Sequence, residues 1–263
     1  MSRVGAVVAG YLHSPDPRAF ARLAASYRNW PQVALARVGL RNYPLEARRR
    51  TGETFTVRKH TDVDLFAHRE ARWLPNGAEL SVFERTLTFE TEAPGALVDT
   101  YFRQHYRALP VDGRAVLDLG ALDGDTAIYF VARGARHVLA VEINPTNAQR
   151  LRRNLEHNHI GNVTVVGEKA ERIEPYLPAL EAAAGASAPA GFSLKMDIEG
   201  DEEPLLENSA PEAIQRFRDI VLEYHRGPER CATRLRTLGY ALRVEPPLRH
   251  PNGDLCGLIW AHR

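Results

Sequence analysis

Little in this sequence invites a membrane, a disulfide framework or a bound phosphate. Its one continuous apolar run near a terminus, Gly5 to Leu12, falls far short of the roughly 18–20 residues a membrane span requires. No small-x-small cleavage site follows it, so it reads as a buried strand or the start of a helix and not as a secretion signal. Only two cysteines occur, Cys231 and Cys256. They lack metal-ligand spacing and read as small core hydrophobes in a reducing, cytoplasmic setting. Lysine is scarce, with Lys59, Lys169 and Lys195 the only ones among 34 basic residues. Neither G-x-x-x-x-G-K-[ST] nor G-x-G-x-x-G is present, which excludes two common backbone cradles for phosphate. There is no internal repeat, and the one low-complexity stretch, "AAAGASAPA" from Ala182 to Ala190, reads as a frayed helix end and a loop.

What is present is an ordinary globular chain of 263 residues, 44% apolar, with a net charge of +1. The charge is uneven: residues 1–110 hold 16 basic against 11 acidic side chains, and residues 111–263 hold 18 against 22. From Gly113 onward, apolar runs that suit buried strands ("AVLDLG", "HVLAVE", "NVTVVG", "FSLKMD", "DIVLEYH") alternate with helical spacing, clearest in "NPTNAQRLRRNLEHN". That alternation predicts a parallel sheet covered by helices on both faces. At the tail, "YALRVEPP" and "LCGLIWAHR" are joined by a Pro/Gly-rich connection with no room for a crossover helix, so these two strands are expected to be antiparallel. In residues 1–110, "RAFARLAASY" and "PQVALARVGL" have helical spacing, and "TFTVRK" and "LSVFERTLTFE" alternate as strands do. "ALVDTYFRQHYRAL" reads as a helix leading into the sheet. The expectation is an α/β domain over 111–263 preceded by a helical and β-ribbon cap over 1–110 that covers one edge of the core or meets the substrate.

The most informative stretch is "AVLDLGALDGDT", Ala115 to Thr126, where a strand gives way to a helix. Ligands of open α/β sheets bind at the carboxyl ends of the strands, and this first turn is usually nearest to them. Gly120 and Gly124 leave the turn without Cβ atoms, so a bulky ligand could lie against it. Asp118, Asp123 and Asp125 would repel phosphate and favour a ligand carrying positive charge. S-adenosylmethionine, with a sulfonium, an ammonium and no phosphate, is such a ligand. The next strand ends at Glu142, close to the offset at which an acid accepts hydrogen bonds from ribose hydroxyls in doubly wound sheets. The expected cofactor contacts are Asp118, Gly120, Ala121, Asp123, Gly124, Asp125 and Thr126 in the first turn. Glu142 and Ile143 follow after the second strand, Glu168, Lys169 and Ala170 after the third, where adenine would lie, and Asp197 after the fourth.

The segments "LDLGALDGDT", "VEINP" and especially "LKMDIEGDE" resemble the FkbM family of S-adenosylmethionine-dependent methyltransferases. The resemblance covers roughly residues 113–225 and is most specific at Lys195, Asp197, Glu199 and Gly200, which match a K-x-D-x-E-G pattern. It implies a seven-stranded Rossmann-like methyltransferase sheet with an antiparallel last strand, and O-methylation of a sugar or natural product. Methyl transfer to a hydroxyl needs the acceptor held in line with the sulfonium and a general base within reach. Lys195, Asp197 and Glu199 alternate along the fourth strand, and His225 closes the fifth beside Glu223. The candidate catalytic residues are therefore Lys195, Asp197, Glu199 and His225, the last as a base of near-neutral pKa. Two structural alternatives stand beside them: Lys195 pairing with Asp197, and Glu199 capping a helix that starts near Glu203. A divalent metal on Asp197, Glu199, Glu223 and His225 is compatible with the spacing but not demanded by it, and no metal is assigned.

A small molecule or glycan is the favoured acceptor, with no membrane involved. RNA is the alternative, bound through Arg48, Arg49, Arg50, Arg58 and Lys59 with Tyr43 and Phe55 for stacking. Against it stands the lack of an N-P-P-[YF] signature, the mark of methylation at a planar base nitrogen. A binding module without turnover is disfavoured by the intact set of acids. His157 and His159 fall at a predicted helix end, where a solvated role suffices.

Overall fold

The computed structural model describes residues 18–185, 191–249 and 255–263. The apolar run at Gly5–Leu12 and the end of the alanine-rich stretch, 186–190, lie outside them. The chain forms two compact units, one ending at Arg103 and the other beginning at Gln104.

The N-terminal unit opens with α1 (Arg18–Ser26) and α2 (Trp30–Arg37). A two-stranded ribbon of β1 (Leu45–Arg48) and β2 (Thr54–Val57) follows, then α3 (His60–Phe66). A three-stranded antiparallel sheet comprises β3 (Ala71–Leu74), β4 (Gly77–Val82) and β5 (Arg85–Glu90). The stretch read as alternating is thus a hairpin, turned at Phe83 and Glu84, both at positive φ (52° and 57°). The helix expected over 96–109 is much shorter: α4 (Pro94–Leu97) runs into a π-helical turn at Val98–Phe102 and stops before Gln104, whose φ is 57°. Two residues named for RNA contact are committed elsewhere. Phe55 is 5% exposed and stacked on Trp73, and Arg49 is 6% exposed, donating to the Ala71 and His68 carbonyls and to Glu53.

The C-terminal unit is built on β6 (Ala115–Leu119), α5 (Asp125–Ala132), β7 (His137–Val141), α6 (Pro145–His157) and β8 (Val163–Val166). The chain continues through α7 (Leu177–Ala184), β9 (Phe192–Met196), α8 (Glu202–Asn208), α9 (Pro211–Ile214) and β10 (Phe217–Tyr224). It ends with α10 (Glu229–Thr237), β11 (Ala241–Val244), the short β12 (Leu248–Arg249) and β13 (Leu255–His262). The sheet order is β11-β13-β10-β9-β6-β7-β8, with β12 added on β13. Strands β8, β7, β6, β9 and β10 are parallel, and β13 runs antiparallel to both β10 and β11. This is a Rossmann-like α/β sheet with seven strands on its main path and an antiparallel last strand, as expected.

The central strands are continuous apolar runs because helices cover both faces: every residue of β6 and β9 is buried. Each fully buried Leu among them contributes about 2 kcal/mol of transfer free energy. Helix α6 starts where Asn144 Oδ1 accepts from Thr146 N at 2.9 Å and Pro145 fills the first helical position. Cys231 and Cys256 are buried free thiols, and among the described residues no helix is long and apolar enough to cross a membrane.

Candidate active site

The strand order reverses between β6 and β9, so the crevice of this sheet lies beyond their carboxyl ends. An open cavity of about 220 Å³ lies there. Its walls include Gly120, Glu142, Ile143, Glu168, Lys169, Ala170, Asp197 and Glu199, eight of the residues singled out in the sequence. Leu122, Val141, Asn147, Ile198 and Asp201 complete the lining.

The rest of the first turn lies under that surface. Asp118 is fully buried; one oxygen accepts from Thr126 Oγ1 at 2.6 Å and the other pairs with Lys195 Nζ at 3.2 Å. Asp123, Asp125, Thr126 and Ala121 are also buried and do not line the cavity. The two glycines also serve close packing within the fold. A Cβ on Gly120, at φ 77°, would stand 1.7 Å from the Asp197 carbonyl oxygen, and one on Gly124, at φ 92°, would stand 2.9 Å from Leu151. Glycine at these positions lets β9 and α6 approach the turn, and no room for a ligand is needed to explain it.

Glu142 is the acid that organises the edge. Its Oε2 accepts from Leu122 N at 2.9 Å and its Oε1 from Asn144 N at 2.7 Å, so one carboxylate ties the loop after β6 to the loop after β7. Each oxygen retains a lone pair for a ligand. Beside it Ile143 is 62% exposed, a bare apolar wall. Across the cavity Glu168 accepts from the Tyr176 hydroxyl at 3.0 Å, and Lys169 is paired with Asp201 at 2.7 Å. The lining therefore carries five carboxylates against one ammonium, and that ammonium is already paired.

Past the end of β9 the site changes character. Lys195 does not reach the cavity: it is 1% exposed, donates to the Gly120 carbonyl at 2.7 Å and the Leu119 carbonyl at 3.3 Å, and pairs with Asp118. Burial opposes its charge, but the Asp118 and Asp197 carboxylates outweigh burial and hold its pKa above the usual lysine value. Its nearer carboxylate partner is Asp118, not Asp197 at 3.9 Å. Asp197, one residue beyond the strand, accepts from the Tyr106 hydroxyl at 3.3 Å. Tyr106 is 5% exposed, and burial followed by the Asp197 charge raises its pKa well above the usual tyrosine value.

His225 lies just past β10, with Nε2 at 3.8 Å from Asp197 Oδ1 and 3.5 Å from Glu199 Oε2. Its Nδ1 meets Glu202 Oε1 at 3.0 Å. Glu202 is 3% exposed and also accepts from Ile198 N at 2.9 Å and Gly200 N at 3.1 Å. The acid that ties down this loop is thus Glu202, whereas Glu199 is 88% exposed and caps nothing. Burial would lower the His225 pKa, but the Glu202 hydrogen bond and the Glu202, Asp197 and Glu199 charges outweigh it and hold the ring at about 9. That lies above the near-neutral value expected for a general base. Two residues that the sequence did not single out, Tyr106 and Glu202, are therefore integral to this end of the crevice.

No family model and no curated protein matches the chain. Among solved structures it is similar to TrmK of M. capricolum in complex with S-adenosyl-homocysteine, at 14% identity over 61% of this chain and 66% of that one, with a TM-score of 0.45. It is similar to a precorrin-6y C5,15-methyltransferase from Geobacter metallireducens, at 16% identity over 70% and 96% of the two chains and a TM-score of 0.45. It is also similar to the Aeropyrum pernix fibrillarin in complex with S-adenosyl-L-methionine, at 17% identity over 82% and 92% with a TM-score of 0.43.

Proposed function

We propose that this chain is an S-adenosylmethionine-dependent methyltransferase acting on a hydroxyl of a glycan or small molecule, in keeping with its resemblance to the FkbM family. The observation that carries the reading is the cavity at the sheet's switch point, lined by five carboxylates and one paired lysine. A cationic, phosphate-free nucleoside suits that lining, and a phosphorylated one does not. In this reading the free lone pairs of Glu142 take the ribose hydroxyls, Ile143 packs on the adenine, and Asp197 faces the methionine end. S-adenosyl-homocysteine and S-adenosyl-L-methionine are also the ligands named for two of the similar structures.

A second acceptor class, RNA, rests on the basic balance of residues 1–110, 16 positive against 11 negative side chains. With Arg49 and Phe55 buried, it depends on Arg48, Arg50, Arg58 and Lys59. The deciding experiment is calorimetric titration of S-adenosylmethionine and S-adenosyl-homocysteine into the wild-type protein and Glu142→Ala. Micromolar binding lost in the variant supports the reading; no heat and no thermal shift with either ligand overturns it. Salt-dependent retention of RNA, with turnover on it, would move the acceptor to nucleic acid.

A further inference from the structure

We propose that Asp197, Glu199 and His225 form a binding site for one divalent cation at the acceptor end of the cavity. Among the described residues these are the one set of three whose ligating atoms gather, all within 4.8 Å of one another. First-row cations bond nitrogen and oxygen at about 2.0–2.2 Å, so atoms sharing one cation stand about 3–4.4 Å apart. Nε2 of His225 lies 3.8 Å from Asp197 Oδ1 and 3.5 Å from Glu199 Oε2, within that range before any adjustment.

A separate observation concerns the far side of the ring. Histidines that bind metals almost always give their other N–H to a carboxylate or carbonyl, which fixes tautomer and orientation. Here the buried Glu202 takes Nδ1 at 3.0 Å and is itself anchored by two backbone N–H groups, so Nε2 is aimed at the other two carboxylates. Glu199 adopts φ 56° without being glycine, and its Oε2 stands 3.5 Å from the ring's Nε2. One imidazole and two carboxylates suit a borderline-to-hard ion such as Mn²⁺ or Co²⁺. On binding, the ion takes the place of the Nε2 proton, which leaves to solvent.

Asp197 and Glu199 both line the cavity, so the coordination positions left open adjoin it. Resting on the function proposed above, those positions would receive an oxygen of the acceptor. The cation site itself does not depend on that function.

The test is titration of Mn²⁺ into chelator-stripped protein without S-adenosylmethionine, following loss of the free-ion paramagnetic resonance signal. One saturable site per chain is expected, weakened at least tenfold in Glu199→Gln and in His225→Gln. Glu199 is 88% exposed, so its amide variant leaves the fold intact, as a thermal melt checks. No saturable uptake by the wild-type protein, or uptake unchanged in both variants, overturns the proposal. S-adenosylmethionine binding is measured separately on the same stripped sample. Mn²⁺ uptake with no cofactor binding supports the cation site while defeating the methyltransferase reading, and the reverse pattern defeats the cation site alone.

Discussion

Beneath the first turn, Asp118 and Lys195 are sealed from water at 0% and 1% exposure and form an ion pair at 3.2 Å. On the cavity wall, past the ends of β7, β8 and β9, Glu168, Asp197 and Glu199 open onto the cavity, and Glu142, 6% exposed, lines it. The two sets differ in what limits them. A sealed pair has lost its hydration, and removing one partner leaves the other charge buried and uncompensated. The exposed Glu168 and Glu199 keep access to solvent and can exchange a water for a ligand, whereas Glu142 is held by two backbone N–H groups.

The largest expected effect breaks the sealed set. Asp118→Asn leaves the Lys195 ammonium without its nearest carboxylate and is expected to cost about 3–5 kcal/mol in denaturant unfolding. The pair Asp118→Leu with Lys195→Met removes both charges and is expected to cost less than Asp118→Asn alone, which a double-mutant cycle would read. If the cost of the double substitution equalled the sum of the two single costs, the two charges would not be a unit.

Glu142→Ala tests the cavity wall. Losing the acceptor for Leu122 N and Asn144 N costs about 1–2 kcal/mol of stability. The loss of affinity for S-adenosylmethionine is expected to be at least tenfold, about 1.4 kcal/mol. A stability loss with unchanged affinity would assign Glu142 to the scaffold.

The third expectation concerns protons. In metal-free protein the His225 imidazole titrates near 9, above the ordinary 6.5, because Glu202, Asp197 and Glu199 outweigh its burial. Since the folded value exceeds the unfolded one, the pairing stabilises the fold fully below about pH 6.5 and is lost as pH rises through about 9. His68 in the N-terminal unit moves the opposite way, to about 4, through burial and then Arg22. Its contribution is present above about pH 6.5 and falls as pH drops toward 4. Two-dimensional NMR of the ring protons reads both, and coincident midpoints would contradict both environments. The smallest effect is that of Glu168→Gln, which keeps an acceptor for Tyr176. It should change stability by less than about 0.5 kcal/mol, with cofactor affinity down only a few-fold.

The sheet was legible because parallel strands buried on both faces are written as continuous apolar runs. Strands β1 and β3, four residues each with charges among them, carry no such signal and were not anticipated. Glu142 was legible from its distance along the chain to Asp118. Tyr106 was not, since its partner Asp197 lies 91 residues away and nothing local marks the contact. Glu202 was hidden because its three hydrogen bonds exist only once the chain has turned at Gly200, at φ 101°. Lys195 was read as facing the reaction because alternation along a strand gives sidedness but not depth.

The approach of Gly120 to the Asp197 carbonyl has a longer reach. A hydrogen atom is the widest substituent that position 120 admits, so the main-chain course at residue 197 is inherited together with it. The loop after β9 therefore cannot be rerouted unless the first turn is redrawn in the same step.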